Sequence, residues 1–332
     1  MRAAVFTEYG PPEVLHLEEV AQPVPGNREV LVRVQAASVN FGDLVVRKFR
    51  STSPRQFHMP FLFWLIGRLT FGVWRPRTTI LGSDFAGTVE AAGRDVTRFK
   101  PGDQVFGFSG PRMGAYAEFL RIREDAVLSG LPAGLRFDEA ASIPYGAVMA
   151  LALVRKAGLR PGQRVLVVGA SGGIGQAIVQ LAAGHIGARV TGVCGPANVD
   201  FVRSLGAEAA IDYTREDFTT RAETFDIIID VLGRYPFARC KRVLAPDGRL
   251  VYVSFKAKQV LQMVWTSLRG RQKVSCMLMT EKAEHLAIIK GLVEAGTFRA
   301  HVGRTFPLEE AAEAHRHAES AQAQGATVIL MN

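Results

Sequence analysis

Hydrophobic and polar positions alternate along this chain in two different rhythms. Between residues 160 and 280 one solid apolar run, Val165–Val168, is followed by apolar-rich strand candidates at Ala188–Val193, Ala209–Ile211, Phe225–Val231, Arg249–Ser254 and Lys273–Met279. Runs of that length, set off by polar and glycine residues, predict strands buried on both faces. Helical patterns over Gln176–Ala183, Asn198–Leu205 and Tyr235–Leu244 fall between them. Gly206 stands at a C-cap position and Pro246-Asp-Gly248 marks a turn. Strands alternating with helices predict an α/β domain with a doubly wound parallel sheet. In residues 1–123 the rhythm is different. Glu29–Gln35 alternates apolar with polar and runs on through Ala36–Asn40, and further strands are expected at Gly82–Val89, Gln104–Phe108 and Gly114–Leu120. Short strands and glycine turns of this kind predict a compact barrel. In the tail, an amphipathic helix over Ala283–Val293 stops near Gly296. Arg304–Leu308, a helix over Glu309–Ala323 and a strand at Ala326–Leu330 follow.

The first solid run ends in Gly169-Ala-Ser-Gly-Gly-Ile-Gly175 and leads straight into a helix. Strand, glycine turn and helix are the first half of a dinucleotide-binding unit. The glycines let backbone approach a pyrophosphate, and the helix N-terminus offers free N–H groups and partial positive charge. Composition changes little here, since 48% hydrophobic and 21% charged residues are ordinary globular proportions. The charge distribution says more. The net charge of +9 is concentrated, because Leu44–Ser83 holds no acid but seven cations: Arg47, Lys48, Arg50, Arg55, Arg68, Arg75 and Arg77. A patch that local argues against a nucleic-acid footprint. Cys194, Cys240 and Cys276 are far apart and odd in number, so they read as reduced thiols in a core. With no secretory h-region and no apolar run of membrane-spanning length, a reducing cytoplasm is expected.

Four features occur in order along the chain: the β-rich N-terminal part, Gly102-Asp-Gln-Val-Phe-Gly107, Ala140-Ala-Ser-Ile-Pro144 and the glycine turn at 169–175. Together they resemble the medium-chain dehydrogenase/reductase superfamily, specifically its zinc-free quinone oxidoreductase branch. The resemblance covers almost the whole chain. It implies a GroES-like catalytic domain over 1–123 with a long insertion at 47–79, a Rossmann NAD(P)-binding domain over 124–280, and a return to the catalytic domain over 281–332. A homodimer is the family default.

Zinc-dependent relatives carry a catalytic Cys and a Gly-His-Glu segment where this chain has Ser38-Val-Asn40 and Gly82-Ser-Asp84. No cysteine precedes Cys194, His16 and His58 are isolated, and His315 and His317 point to different helix faces, so no metal is expected. Without zinc, a carbonyl must be polarised by hydrogen bonds, which suits conjugate hydride transfer to a quinone or enone. The resemblance places Asn40 near nicotinamide and substrate in an orienting or donor role; the plain alternative is an Asn that closes a strand on local backbone. Tyr145 is placed near the domain junction as a proton donor or as a packed tyrosine. Asp43 reads as structural, and Val148 replaces a Thr of many relatives. For the cofactor, Ser171, Gly172, Gly173, Ile174 and Gly175 form the pyrophosphate turn. Cys194 and Asn198 lie at the end of the second strand, where NAD-specific domains keep an acid. This chain has none there, which favours NADPH over NADH, although no Arg or Lys stands there either. Arg203 is a substitute cation or simply a solvated helix residue. The resemblance puts Tyr213 near the adenosine phosphate, and Gly233 with Ser254 beside the nicotinamide ribose.

The aromatic, basic insertion at 47–79 reads in three ways: a wall for a small apolar substrate, a membrane-surface element, or a helical hairpin over the core. Lys256–Lys273 is a second insertion of the same character. The expected function is an NADPH-dependent quinone or enone oxidoreductase. Its rival is an NAD(P)-binding protein with little turnover, acting as a structural or membrane-associated partner.

Overall fold

The computed structural model describes residues 1–54, 56, 57, 59–278, 282–320 and 324–331. His58, Met279 and Ala323, and the expected domain limits 280, 281 and 332, lie outside the described residues. The strands, in chain order, are β1 (Arg2–Val5), β2 (His16–Glu19), β3 (Glu29–Val39), β4 (Asp84–Ala92), β5 (Gln104–Phe108), β6 (Phe119–Arg123), β7 (Val127–Gly130), β8 (Arg164–Val168), β9 (Arg189–Cys194), β10 (Ala209–Asp212), β11 (Phe225–Asp230), β12 (Leu244–Tyr252), β13 (Lys273–Cys276), β14 (Val302–Pro307) and β15 (Ala326–Leu330). They divide between two compact units. One comprises residues 1–53, 66–148 and 281–332, the other 54–65 and 149–280.

The first unit is built on a sheet in the order β14-β15-β3-β4-β5-β7, with β6 also paired to β3 and β1-β2 as a separate antiparallel pair. Strand β3 organises it: residues 36–39 pair with β15, residues 29–33 pair with β6, and most of its length pairs with β4. Phe6, Leu81, Phe85 and Tyr116 lie fully buried in its core. A Leu or Phe side chain contributes about 1.5–3 kcal/mol on full burial. The tail joins this unit through β14 and β15. The unit extends past residue 123 to Val148, inside the helix Pro144–Ala157, because β7 pairs with β5.

The second unit is the doubly wound parallel sheet. Its order is β10-β9-β8-β11-β12-β13 and every pair is parallel. In this strand order the topology switches between β8 and β11, where open α/β sheets bind nucleotides at the strand C-termini. Val165, Leu166 and Val167 are fully buried, which accounts for the solid apolar run.

Several local expectations need correcting. The strand expected at 114–120 begins only at Phe119. Before it, Ala115 and Tyr116 donate to the carbonyls of Gly82 and Leu81 in a loop, so no ladder forms. The helix expected at 176–183 starts at Gly173, leaves α geometry after Gln180 and continues as a π-turn to Ile186. The turn at 246–248 sits inside β12: the register jumps from Phe225↔Leu244 to Ile227↔Arg249, so Ala245–Gly248 loops out of the ladder. Between 47 and 79 the described residues hold one long helix, Phe61–Phe71, rather than a hairpin of two such helices.

Candidate nucleotide site and buried acid cluster

The C-terminal end of β8 turns sharply. The amides of Gly169 and Ala170 both donate to the Val193 carbonyl, at 3.0 and 3.1 Å, tying the turn to β9. The helix Gly173–Gln180 starts after Gly172 as N-cap. Gly175 permits this geometry, because a Cβ there would sit 2.0 Å from the Gly169 carbonyl oxygen. Gly172 and Gly173 differ from it. Both are exposed, and a Cβ on Gly173 would meet nothing within 4 Å. Free backbone donors at a helix start with open space in front suit an anionic pyrophosphate. Ser171 and Ile174, both half-buried, flank this opening.

The remaining nucleotide-site residues predicted from sequence line the same edge of the sheet. Cys194 closes β9 and is buried; burial pushes its thiol up to about 11, with Asp212 adding repulsion, so it is not a nucleophile at neutral pH. Asn198 is buried, and its Oδ1 has no partner among the described residues. Tyr213 donates its backbone N–H to the Cys194 carbonyl at 3.2 Å, and its half-exposed ring covers Gly195. Arg203 is exposed on the next helix, 3.5 Å from Asp200. Gly233 has φ +66°, and a Cβ there would lie 2.2 Å from the Ser254 carbonyl oxygen. Asp230, a residue missed in the sequence, holds the Gly233 turn. Fully buried at the end of β11, it accepts from the amides of Leu232, Gly233 and Tyr235 at 3.1, 2.9 and 2.9 Å. Burial raises its pKa, and those three bonds oppose the rise.

In the first unit, Asn40 and Tyr145 are brought to one acid cluster. The Asn40 amide N–H donates to Asp43 Oδ2 at 2.8 Å, and its Nδ2 has the Ser38 and Ser83 hydroxyls at 3.3 and 3.5 Å. Its side-chain amide thus faces two hydroxyls. The Tyr145 backbone N–H donates to both oxygens of Asp84 at 3.1 Å, and its ring lies 5.4 Å from Phe108. Asp84 also accepts from Ser38 Oγ at 3.4 Å. Both Asp43 and Asp84 are fully buried. Burial pushes Asp43 up to about 7 and Asp84 up to about 8, and the Asp43 charge adds to the second. Asp84 was legible only as an acid at a strand start, with no sign of its burial. Val148 is fully buried close by in sequence.

A second buried group borders this cluster. Arg47, counted in the sequence with a basic surface patch, is 1% exposed. Its guanidinium donates to Glu319 at 2.7 Å, to the Gly10 carbonyl at 3.2 Å and to His315 Nδ1 at 2.8 Å. Burial and this neighbouring charge hold His315 neutral, down to about 3. Its ring meets Tyr116 edge-on at 5.6 Å, and its Nε2 has no partner among the described residues. Among the described residues no three His, Cys, Asp or Glu side chains are grouped as a metal site would need.

Two family models match the chain: an alcohol dehydrogenase GroES-like domain over residues 26–133, and a zinc-binding dehydrogenase over 205–329. The chain is 32% identical to a quinone oxidoreductase of Pseudomonas aeruginosa, covering 98% of each protein. It is 30% identical to that of Rattus norvegicus over 100% of this chain and 98% of the relative. It belongs to the quinone oxidoreductase branch of the medium-chain dehydrogenase/reductase superfamily. A solved quinone oxidoreductase of Coxiella burnetii superposes with TM-score 0.85 at 28% identity, covering 100% and 99% of the two chains. Membership makes the chain an oxidoreductase of an NAD(P)H-dependent family. The β-rich unit is its GroES-like domain and the parallel sheet its Rossmann domain.

Proposed function

We propose that the protein is an NADPH-dependent reductase of quinones or α,β-unsaturated ketones that works without zinc. The observation that carries this reading is the open helix start at Gly172–Gly173, in a chain of the quinone oxidoreductase branch. When bound, the reduced nicotinamide supplies a hydride. The chain's own residues do the rest. Gly173 and Ile174 offer the backbone N–H groups of the first helical turn to the pyrophosphate, the Gly172 N–H being held by the Gly169 carbonyl at 3.2 Å, and Tyr213 and Asn198 border the adenosine end. The stretch Cys194–Asn198 carries no carboxylate, so a 2′-phosphate meets no repulsion there.

In the GroES-like domain, Asn40 is the assigned carbonyl donor. Its two contacts to serine hydroxyls are long, so a substrate oxygen can take their place. Asp43 fixes the Asn40 backbone, and Asp84 fixes the backbone at Tyr145, which we assign as the second polar group facing substrate. Polarising a carbonyl with neutral donors favours charge delocalised onto an enolate oxygen over a full alkoxide. A homodimer in the cytoplasm completes the reading.

The test is fluorescence titration with NADPH and NADH, then cofactor oxidation at 340 nm with quinones and enones, in wild type and Gly173→Val. NADPH binding with acceptor-dependent oxidation, weakened in a folded Gly173→Val, is expected. Binding without turnover on any acceptor would replace the reductase with a nucleotide-binding protein.

A further inference from the structure

Two helices in this protein show the same unusual outer face. On Ala257–Leu268, Val260 and Met263 turn inward onto the Rossmann core and Thr266 is buried. The opposite stripe, Leu261, Val264, Trp265 and Leu268, is spaced i, i+3, i+4, i+7 and is 70, 50, 57 and 80% exposed. On Phe61–Phe71 the stripe Leu62, Leu65, Ile66 and Leu69 has the same spacing and is 61, 39, 49 and 57% exposed, with Phe61 at 60% beside it. Solvent-facing helix positions are normally polar. Met59, just before the second of these helices, packs on the same core cluster as Val260 and Met263.

The charge around these stripes identifies what they face. Residues 44–83 and 248–280 contain thirteen of the forty Lys and Arg and none of the 31 acids, so the rest of the chain is net acidic. Arg50, Arg75 and Arg77 flank one helix at exposed positions, Lys256, Lys258 and Arg269 flank the other, and Lys48 is paired with Glu319 at 3.1 Å. Arg50 lies over the Trp74 ring at 6.0 Å, and Trp74 is itself 75% exposed. A second copy of this chain is a poor occupant, because a two-fold contact sets each set of cations against itself. No described helix is long and apolar enough to cross a membrane.

We infer that the two stripes lie in the surface of an anionic membrane, aliphatic and tryptophan side chains entering the headgroup boundary and the flanking cations meeting lipid phosphates and carboxylates. This inference does not rest on the reductase reading, because vesicle binding is measured without turnover.

The experiment is flotation of the full chain with vesicles of phosphatidylcholine plus phosphatidylserine, and with phosphatidylcholine alone, at low and high salt. Binding to the anionic vesicles that weakens with salt is expected. Leu261→Gln with Trp265→Gln, and separately Leu62→Gln with Leu65→Gln, are expected to abolish most of it. Arg75→Gln with Lys258→Gln is expected to weaken it about five-fold per cation removed. Far-ultraviolet circular dichroism and a thermal melt of each variant report whether it is folded. No flotation of the wild type with anionic vesicles overturns the inference. So does concentration-dependent self-association in sedimentation that the stripe variants abolish while vesicle binding stays unchanged.

Discussion

The glycine turn of the Rossmann domain and the acid cluster of the GroES-like domain solve opposite problems. The turn keeps side chains away: Gly172 and Gly173 are exposed, and Gly175 packs against backbone at a distance only glycine tolerates. It exposes bare backbone at a helix start, as the proposed pyrophosphate contact needs. The cluster does the reverse. It buries two carboxylates, Asp43 and Asp84, and satisfies them with backbone N–H groups and a serine hydroxyl. Burial there raises both carboxyls toward the neutral range, to about 7 and about 8. One site is thus specified by absent side chains and the other by their burial, so each fails in its own way when altered.

The largest expected effect is at the turn. Gly175→Val forces a side chain into the Gly169 carbonyl and is expected to cost ~3 kcal/mol or more, read in denaturant melts, with loss of NADPH binding. A variant that melts like wild type would undo the close-packing account.

The cluster's signature is in pH. Both carboxyls ordinarily ionise near 3.8, and burial raises them to about 7 and about 8. Between about pH 4 and 8 the folded protein therefore holds protons that the unfolded chain has released. Stability is expected to fall as pH rises through that window, by about 1.4 kcal/mol per pH unit for each retained proton, and to level off above it. Asp84→Asn should flatten part of this slope in denaturant midpoints taken from pH 5 to 8.5. An unchanged slope would show that Asp84 is ionised throughout.

Substitutions facing substrate and cofactor come next. Asn40→Ala is expected to lower kcat by roughly 10- to 100-fold while NADPH affinity holds, on the scale of a lost transition-state donor. Equal loss in KM alone would make Asn40 a binding residue. Ala197→Arg places a cation where the ribose 2′-phosphate is assigned, and should move the NADPH:NADH affinity ratio about ten-fold toward NADPH by titration. The smallest effect is expected for Tyr145→Phe, a few-fold in kcat, because the backbone N–H of Tyr145, not its hydroxyl, anchors it to Asp84.

The same contrast decides what could be read from residues alone. Four-residue apolar runs, a glycine cluster and a regular strand–helix rhythm mark the parallel sheet, because burial on both faces leaves no room for polar residues. The glycine turn on which the proposed nucleotide site rests stands out beside those runs as well. The acid cluster was not, since Asp43, Asp84 and Arg47 look in sequence like ordinary surface charges. Their burial comes from β3, β4 and the tail closing over them, contacts separated by up to 272 residues. Local features that depend on one register shift also escaped: the looped-out Ala245–Gly248 and the delayed start of β6 at Phe119.

The position of β15 has a consequence for synthesis. It pairs with β3, so the central strand of the GroES-like domain lacks a neighbour until the last residues of the chain exist. The Rossmann domain needs only residues 54–65 and 149–280, and all of its ladders can close earlier on the ribosome. The nascent protein therefore completes its Rossmann half first, while the Ala36–Val39 stretch of β3 waits, unpaired on one edge, for its partner. Delay or truncation near the C-terminus leaves that strand edge open to other chains.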